Sequence, residues 1–251
     1  MYSSNTYNIK SVVIFKTHIW SKEIENFVVK LLAETKSCDT DFYVVIHDEN
    51  NSVFPLILNS QIKDICLIIK ESEIRSIYET GFYDMWLSNH WILMWFYQKY
   101  RKLYNYFWSM EYDVRICGDS SLIWTHQSDH DFLYTMGNYS NPKNKYNNHY
   151  TGKILSDTTK YHGYLQLARY SNKLLEYLDS NYKLGENGQD EMITFSLINF
   201  GKFTKSKEFL QKLIRGTWTW QASYSCTNKK IYVNLINRTP KNQVFILHPI
   251  K

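Results

Sequence analysis

Proline and glycine are scarce. The 251 residues hold 4 Pro and 9 Gly, which excludes collagen-like repeats and Pro- or Gly-rich low complexity. Cysteine is scarce too. Cys38, Cys66, Cys117 and Cys226 are widely spaced, with no CxxC and no zinc pattern. They read as reduced thiols of an intracellular protein rather than as a disulfide framework. The most apolar stretch, Trp91–Tyr97, is far short of the ~20 residues that cross a bilayer. Met1–Lys10 is polar and lacks the apolar core of a signal peptide. The expectation is a soluble, cytoplasmic protein without a transmembrane segment. GxGxxG, the P-loop pattern, GxSxG and HExxH are all missing, which removes the dinucleotide fingerprint, the P-loop, the hydrolase elbow and the zinc-protease helix. Dense Lys/Arg blocks are missing as well. The net charge of +5 suits an anionic ligand such as a nucleotide diphosphate as well as it suits nucleic acid.

What is present is ordinary globular material. Hydrophobic residues make up 44% and charged residues 21%, so intrinsic disorder is excluded. The length predicts a single domain, residues 1–251, able to bury about 70–75% of its unfolded surface. Aromatics reach 17%. That suits stacking on sugars or bases, and it suits core packing equally. Ser11–Thr17, Asp41–Asp48, Asp64–Ile69 and Tyr104–Met110 read as buried strands. A helix is expected from Ser21, its N-cap, to Glu34, and another over 84–101 through Trp86, His90, Leu93, Met94 and Tyr97. This alternation predicts an α/β fold on a mostly parallel central sheet flanked by helices, with ligands at the carboxyl ends of the strands. Further on, residues 137–152 read as a polar loop and a candidate lid. Gln166–Asp179 and Asp190–Phe200 read as helices. Thr217–Tyr224, Lys230–Leu235 and Val244–Leu247 read as strands.

Four constellations stand out. Glu111-Tyr112-Asp113 follows an apolar strand. Two carboxylates so close repel unless a cation sits between them, and Mg²⁺ or Mn²⁺ with a diphosphate would supply one; a solvated turn would explain the pair too. Asp190-Glu191 opens a helix after a glycine-containing loop, Gly185–Gly188. There an acid can serve as a general base or simply as a helix cap. His248, fixed before Pro249, is a metal ligand or a structural histidine. Trp218 and Trp220 alternate and suit either a sugar ring or the core, as do Trp86, Trp91, Trp95 and Phe96.

Taken in order, Trp108-x-x-Glu111-x-Asp113-Val114, the segment Leu165–Ser171 placed on a helix, Gly188-x-Asp190-Glu191-Met192 and a terminal His248-Pro249-x-Lys251 resemble GT-A-type glycosyltransferases of fungi and of large DNA viruses. The resemblance runs from about residue 80 onward; before that it is only a βαβ nucleotide-binding half. The composition looks viral, and chlorella viruses encode such enzymes for capsid glycans. The resemblance implies a GT-A-like domain with a Rossmann-like nucleotide-sugar half, about 8–115, and an acceptor and catalytic-base half, about 116–251. It implies a divalent metal, Mn²⁺ ahead of Mg²⁺, on Asp113 and His248. Glu111 and Tyr112 fall beside the nucleotide sugar, with Thr17, His18 and Asp48 around base and ribose. Glu191 becomes the base of an inverting reaction, with Asp190 beside it. Trp218 and Trp220 face the acceptor. The donor is expected to be a UDP-sugar, with a lean to xylose, and the acceptor a glycan, such as one on a capsid glycoprotein. A tyrosine in the middle of the acidic triplet departs from many such families and leaves the donor sugar open. A retaining transferase, or a glycan- or nucleic-acid-binding module, is the competing reading.

Overall fold

The computed structural model describes residues 10–58, 60–78, 85 and 87–251. In chain order the elements are β1 (Ser11–Thr17), α1 (Lys22–Lys36), β2 (Asp41–His47), α2 (Phe54–Ile57), β3 (Cys66–Ile69), α3 (Glu71–Arg75), α4 (His90–Tyr100), β4 (Tyr106–Glu111), β5 (Arg115–Gly118), α5 (Ser121–Trp124), β6 (Phe132–Tyr134) and β7 (Gly137–Ser140). They continue with β8 (Tyr161–Gly163), β9 (Leu167–Ser171), α6 (Asn172–Lys183), α7 (Asp190–Phe200), β10 (Lys205–Ser206), α8 (Glu208–Leu213), α9 (Ser225–Ile236) and β11 (Val244–Leu247). Among the described residues no helix is long and apolar enough to cross a membrane.

The α/β architecture expected from the sequence is the one formed. Seven strands make a central sheet in the order β10-β6-β9-β4-β1-β2-β3. Strand β9 runs antiparallel to both its neighbours, and the other pairings are parallel. Alternate side chains of β1 feed two cores. Val12 and Ile14 meet Trp91, Phe96 and Phe195, while Val13 and Phe15 meet Phe27, Leu31 and Trp108. A strand covered on both faces reads as a continuous apolar run, which is why β1 and β2 were visible in the sequence. Each such buried side chain contributes about 1.5–3 kcal/mol. Helix α1 begins as expected: Ser21 Oγ accepts from the Ile24 amide at 3.2 Å, satisfying an otherwise orphaned donor.

Three expectations are corrected. The helix expected from Gln166 begins only at Asn172, and Leu167–Ser171 is β9 at the middle of the sheet. All five of its residues are buried, so no alternation marks it, and its leucine and tyrosine spacing matched a helical period by chance. Ser171 is the true N-cap, accepting from the Leu174 amide at 3.1 Å. Buried Arg169 spans the strand end, donating to the carbonyls of His126, Ser128 and His130. Thr217–Tyr224 is not a strand; only Ala222–Tyr224 forms a single 3-10 turn there. Lys230–Leu235 lies inside helix α9. Ile231, Val233 and Leu235 alternate in sequence, but one face of this helix is open, with Val233 exposed. The segment 137–152 contains β7 and a 3-10 turn at Lys145–His149. The expected 84–101 helix begins at His90; Trp86 lies outside the described residues. Trp91, Trp95 and Phe96 are core.

Candidate active site

Strands β2 and β3 lie on one side of β1, and β4 lies on the other. The chain order therefore reverses between β1 and β4. In open parallel sheets this switch point opens a crevice at the carboxyl ends of the strands. Register sets Lys16 of β1 directly beside Glu111 of β4, and Lys16 Nζ lies 3.9 Å from Glu111 Oε1. Asn89 Nδ2 donates to the same Glu111 oxygen at 3.0 Å. Past Glu111 the chain turns through Tyr112 and Asp113 into β5.

The small second sheet delivers a distant residue to this turn. β11 pairs antiparallel with β5, with Leu247 opposite Arg115. His248 thus arrives against Asp113, and the Ile250 amide donates to the Asp113 carbonyl at 2.8 Å. Asn228 of α9 locks the approach by donating to the His248 carbonyl at 2.9 Å. Arg115 holds the turn from beneath. Its guanidinium is buried, donates to the carbonyls of Tyr112 and Val114, and lies 4.9 Å from the Phe27 ring centroid.

Glu111, Asp113 and His248 each offer a ligand atom, all within 4.8 Å of one another. His248 Nε2 faces Asp113 Oδ1 at 3.3 Å. That oxygen is buried and has no aligned hydrogen-bond partner among the described residues. Two carboxylates and one imidazole, one oxygen unsatisfied, fit a divalent cation such as Mn²⁺ or Mg²⁺. Burial pushes the Glu111 carboxyl above its ordinary value, against the pull of Lys16. Burial pushes on Asp113 too, but the His248 imidazole and the Lys251 ammonium at 3.7 Å outweigh it and hold that carboxyl low.

A second acidic pair faces the first. α7 opens with Gln189 as N-cap, its side chain accepting from the Met192 amide at 2.9 Å. The backbone amide of Asp190 donates to the Leu87 carbonyl at 2.8 Å. Gln189 Nε2 donates to Asp190 Oδ1 at 2.8 Å. Gln166 Nε2 donates to Glu191 Oε1 at 2.8 Å, and its own Oε1 accepts from Trp218 Nε1 at 3.3 Å. Burial and then the charge of Glu111 push Asp190 up to about 7, with Lys16 opposing. Burial and then the charge of Asp190 raise Glu191 well above the usual carboxylate range. Two carboxyls side by side in a poorly solvated site cannot both ionise cheaply.

Both clusters open into one cavity of about 590 Å³, within the range of small-ligand sites. Of the residues singled out in the sequence, Thr17, His18, Glu111, Tyr112, Asp113, Asp190, Glu191, Trp220 and His248 line it. Asp48 and Trp218 are not among its lining residues. The Asp48 carboxylate accepts from the amides of Ser52, Val53 and Phe54, which shapes the loop after β2. Trp218 is buried, 5.3 Å from the His248 ring, and bonded to Gln166. It therefore stands behind the site rather than in it. Sequence reading missed Lys16, Asn89, Gln166 and Gln189. Lys16 gave one signal, a lone charge inside an apolar strand. The others resemble any polar residue until the sheet register and the α7 cap are known.

The 137–152 segment is anchored rather than loose. Buried Glu186 accepts from the Tyr150 hydroxyl at 2.6 Å and from the amides of Lys153 and Ile154 at 2.8 Å. The Thr151 amide donates to the Asn187 carbonyl at 3.0 Å. The loop that carries Asp190 and Glu191 thus also holds this wall of the cavity.

No protein-family model matches the chain, and no curated protein matches it. Solved structures do superpose on it. The galactosyltransferase LgtC, in complex with donor and acceptor sugar analogs, is 9% identical at a TM-score of 0.46, covering 96% of this chain and 87% of its own. The inositol-1-phosphate CTP transferase from T. maritima is 8% identical at 0.45, covering 79% and 84%. Mouse xyloside xylosyltransferase 1 is 8% identical at 0.43, covering 96% and 97%.

Proposed function

We propose that the protein is a metal-dependent, GT-A-like glycosyltransferase that moves a sugar from a nucleotide-diphosphate donor to a hydroxyl of a glycan. One observation carries the reading: a Glu111/Asp113/His248 cluster and the adjacent acids Asp190, buried, and Glu191, half-buried, share one cavity at the switch point of the sheet. The first half of the chain would supply the donor side and the second half the acceptor side. Asp113 and His248 would hold the metal, with Glu111 as a third ligand or as an acceptor for metal-bound water and ribose. When bound, the metal would neutralise charge on the departing diphosphate as a Lewis acid. One imidazole among the ligands favours Mn²⁺ over Mg²⁺.

The remaining steps belong to the chain's own groups. Glu191 takes the proton of the acceptor hydroxyl as that oxygen bonds to the anomeric carbon, and the bond from that carbon to the diphosphate oxygen breaks. The anomeric centre inverts. Gln166, fixed by Trp218, orients the Glu191 carboxyl. Lys251 adds positive charge beside Asp113, where the diphosphate would lie. Thr17, His18 and Tyr112 line the nucleotide side; the His18 and Tyr112 rings meet edge to face at 5.0 Å. UDP is the proposed nucleotide, xylose the proposed sugar, and a glycan on a capsid protein a proposed acceptor. Four carboxyls around the cavity disfavour a polynucleotide there.

The test is calorimetric titration of UDP and UDP-xylose with Mn²⁺, with Mg²⁺ and with EDTA. Binding with metal and its loss in EDTA is the expected result. No nucleotide binding with either metal overturns the reading. Arg115 offers a further check on the turn. Arg115→Lys keeps the charge but loses the fork that grips two carbonyls, and supports of this kind are worth about 10- to 100-fold in metal affinity. Mn²⁺-dependent UDP binding should weaken about 10-fold with an unchanged circular dichroism spectrum. Unchanged affinity would show that the turn keeps its shape without the guanidinium.

A further inference from the structure

The hairpin of β7 and β8 carries a feature that the donor site does not use. Tyr139 pairs in register with His162, and their rings stack with centroids 5.9 Å apart and planes 29° apart. His162 is buried and fully occupied. Its Nε2 lies 2.9 Å from Asn147 Oδ1, and its Nδ1 lies 3.3 Å from Asn144 Nδ2. Those partners fix a neutral imidazole with the proton on Nε2, because the amide oxygen accepts and the amide nitrogen donates. The hairpin itself is pinned to α7. The Tyr161 amide donates to Ser196 Oγ at 2.8 Å, and Asn199 Nδ2 donates to Asn138 Oδ1 at 2.6 Å. Gly137, at φ +106°, sits where any Cβ would meet the Gly163 backbone, so the bulge that aims Tyr139 depends on glycine.

Tyr139 is therefore a rigidly backed ring that stays 49% exposed while lining the cavity. It lies near enough to Glu191 to feel its charge, as does Tyr164. Trp220, 54% exposed, lines the same cavity. The cavity's lysines, Lys16 and Lys251, stand beside Glu111 and Asp113. The hairpin wall itself offers rings and amides to the cavity. An exposed flat ring on a fixed base suits the C–H face of a sugar; the lysine of this segment nearest the cavity, Lys145, lies over the Tyr146 ring and is not among the lining residues.

We propose that Tyr139, held on His162, is the acceptor platform, and that it takes a neutral sugar ring whose hydroxyl faces Glu191. This rests on the transferase reading and deepens it by naming the acceptor's chemical class and a residue that selects it.

The experiment uses the full chain with UDP and Mg²⁺, and saturation-transfer NMR of methyl β-xyloside, methyl β-galactoside and methyl β-glucoside. UDP titration runs in parallel on each variant. At least one glycoside should receive saturation at its ring protons. Tyr139→Ala should weaken that glycoside at least about 10-fold, Tyr139→Phe should retain it, and both should bind UDP as the wild type does. Equal glycoside binding by Tyr139→Ala overturns the platform. UDP binding without any glycoside binding overturns the neutral-sugar acceptor and leaves the donor site standing. Glycoside binding that depends on Tyr139, without UDP binding, leaves the platform and overturns the transferase reading. Binding of neither ligand overturns both.

Discussion

Asp113→Ala should abolish metal-dependent UDP binding. Asp113 stands at the centre of its cluster: it faces His248 at 3.3 Å and Lys251 at 3.7 Å, and it follows Glu111 by two residues. Removing it leaves one carboxylate and one imidazole, too few to hold a weakly bound Mn²⁺ or Mg²⁺ that also keeps waters. Loss of a ligand worth about 3 kcal/mol corresponds to about a 100-fold drop in affinity. The titration of Asp113→Ala with Mn²⁺ should then match wild type in EDTA. Melting gives an independent reading. Saturating metal and UDP at about 100 times Kd should stabilise the wild type by about 2.7 kcal/mol and the variant hardly at all. The variant should still fold, because the contact that ties the turn to the C-terminus runs from the Ile250 amide to the backbone carbonyl of residue 113, not to its side chain. Wild-type binding by Asp113→Ala would remove the metal from this cluster.

How much of this was legible depends on which force each residue answers to. β1, β2 and α1 were readable because local pattern and tertiary role agree: apolar runs buried on both faces, and a serine cap before an acidic first turn. Strand β9 was misread because buried Arg169 and Ser171 break the apolar run that marks β1 and β2, and helix α9 because its alternating apolar residues imitate a strand. The acids of the site were visible since carboxylates at the ends of strands and helices are conspicuous. Their partners were not. Lys16 meets Glu111 only through parallel register, and His248 reaches Asp113 only through the β5–β11 pairing. Its place as a possible ligand was open from the sequence, where a histidine before Pro249 reads equally as structural, and the resemblance alone paired it with Asp113. Gln166 and Asn228 act through side-chain amides that nothing distinguishes in a polar sequence. Asp48 shows the converse. It sits at a strand end, where a ligand-binding acid is expected, yet its oxygens are engaged by the amides of the loop that follows.

Glu191→Gln should cost at least about 1,000-fold in transfer, within the usual range for a lost general base, and leave UDP affinity intact. Glutamine keeps the volume and can still accept from Gln166 Nε2, so the change removes proton affinity and little else. The pH profile supplies the sign. A base works only when ionised. Burial and the charge of Asp190 raise the Glu191 pKa well above the usual carboxylate range, and Asp190 itself is pushed up to about 7. The two interact, so the profile reports the pair. In the wild type kcat/KM should fall as pH drops through that raised range, with an acid limb well above the ordinary carboxylate range. In Glu191→Gln that limb should vanish from the residual rate. The same variant separates the two stereochemical courses. A retaining reaction leaves deprotonation of the acceptor to the departing phosphate and needs no carboxylate at this position. A Glu191→Gln enzyme with undiminished transfer, together with a product that keeps the donor's anomeric configuration, would assign the retaining course and leave Glu191 a positioning role.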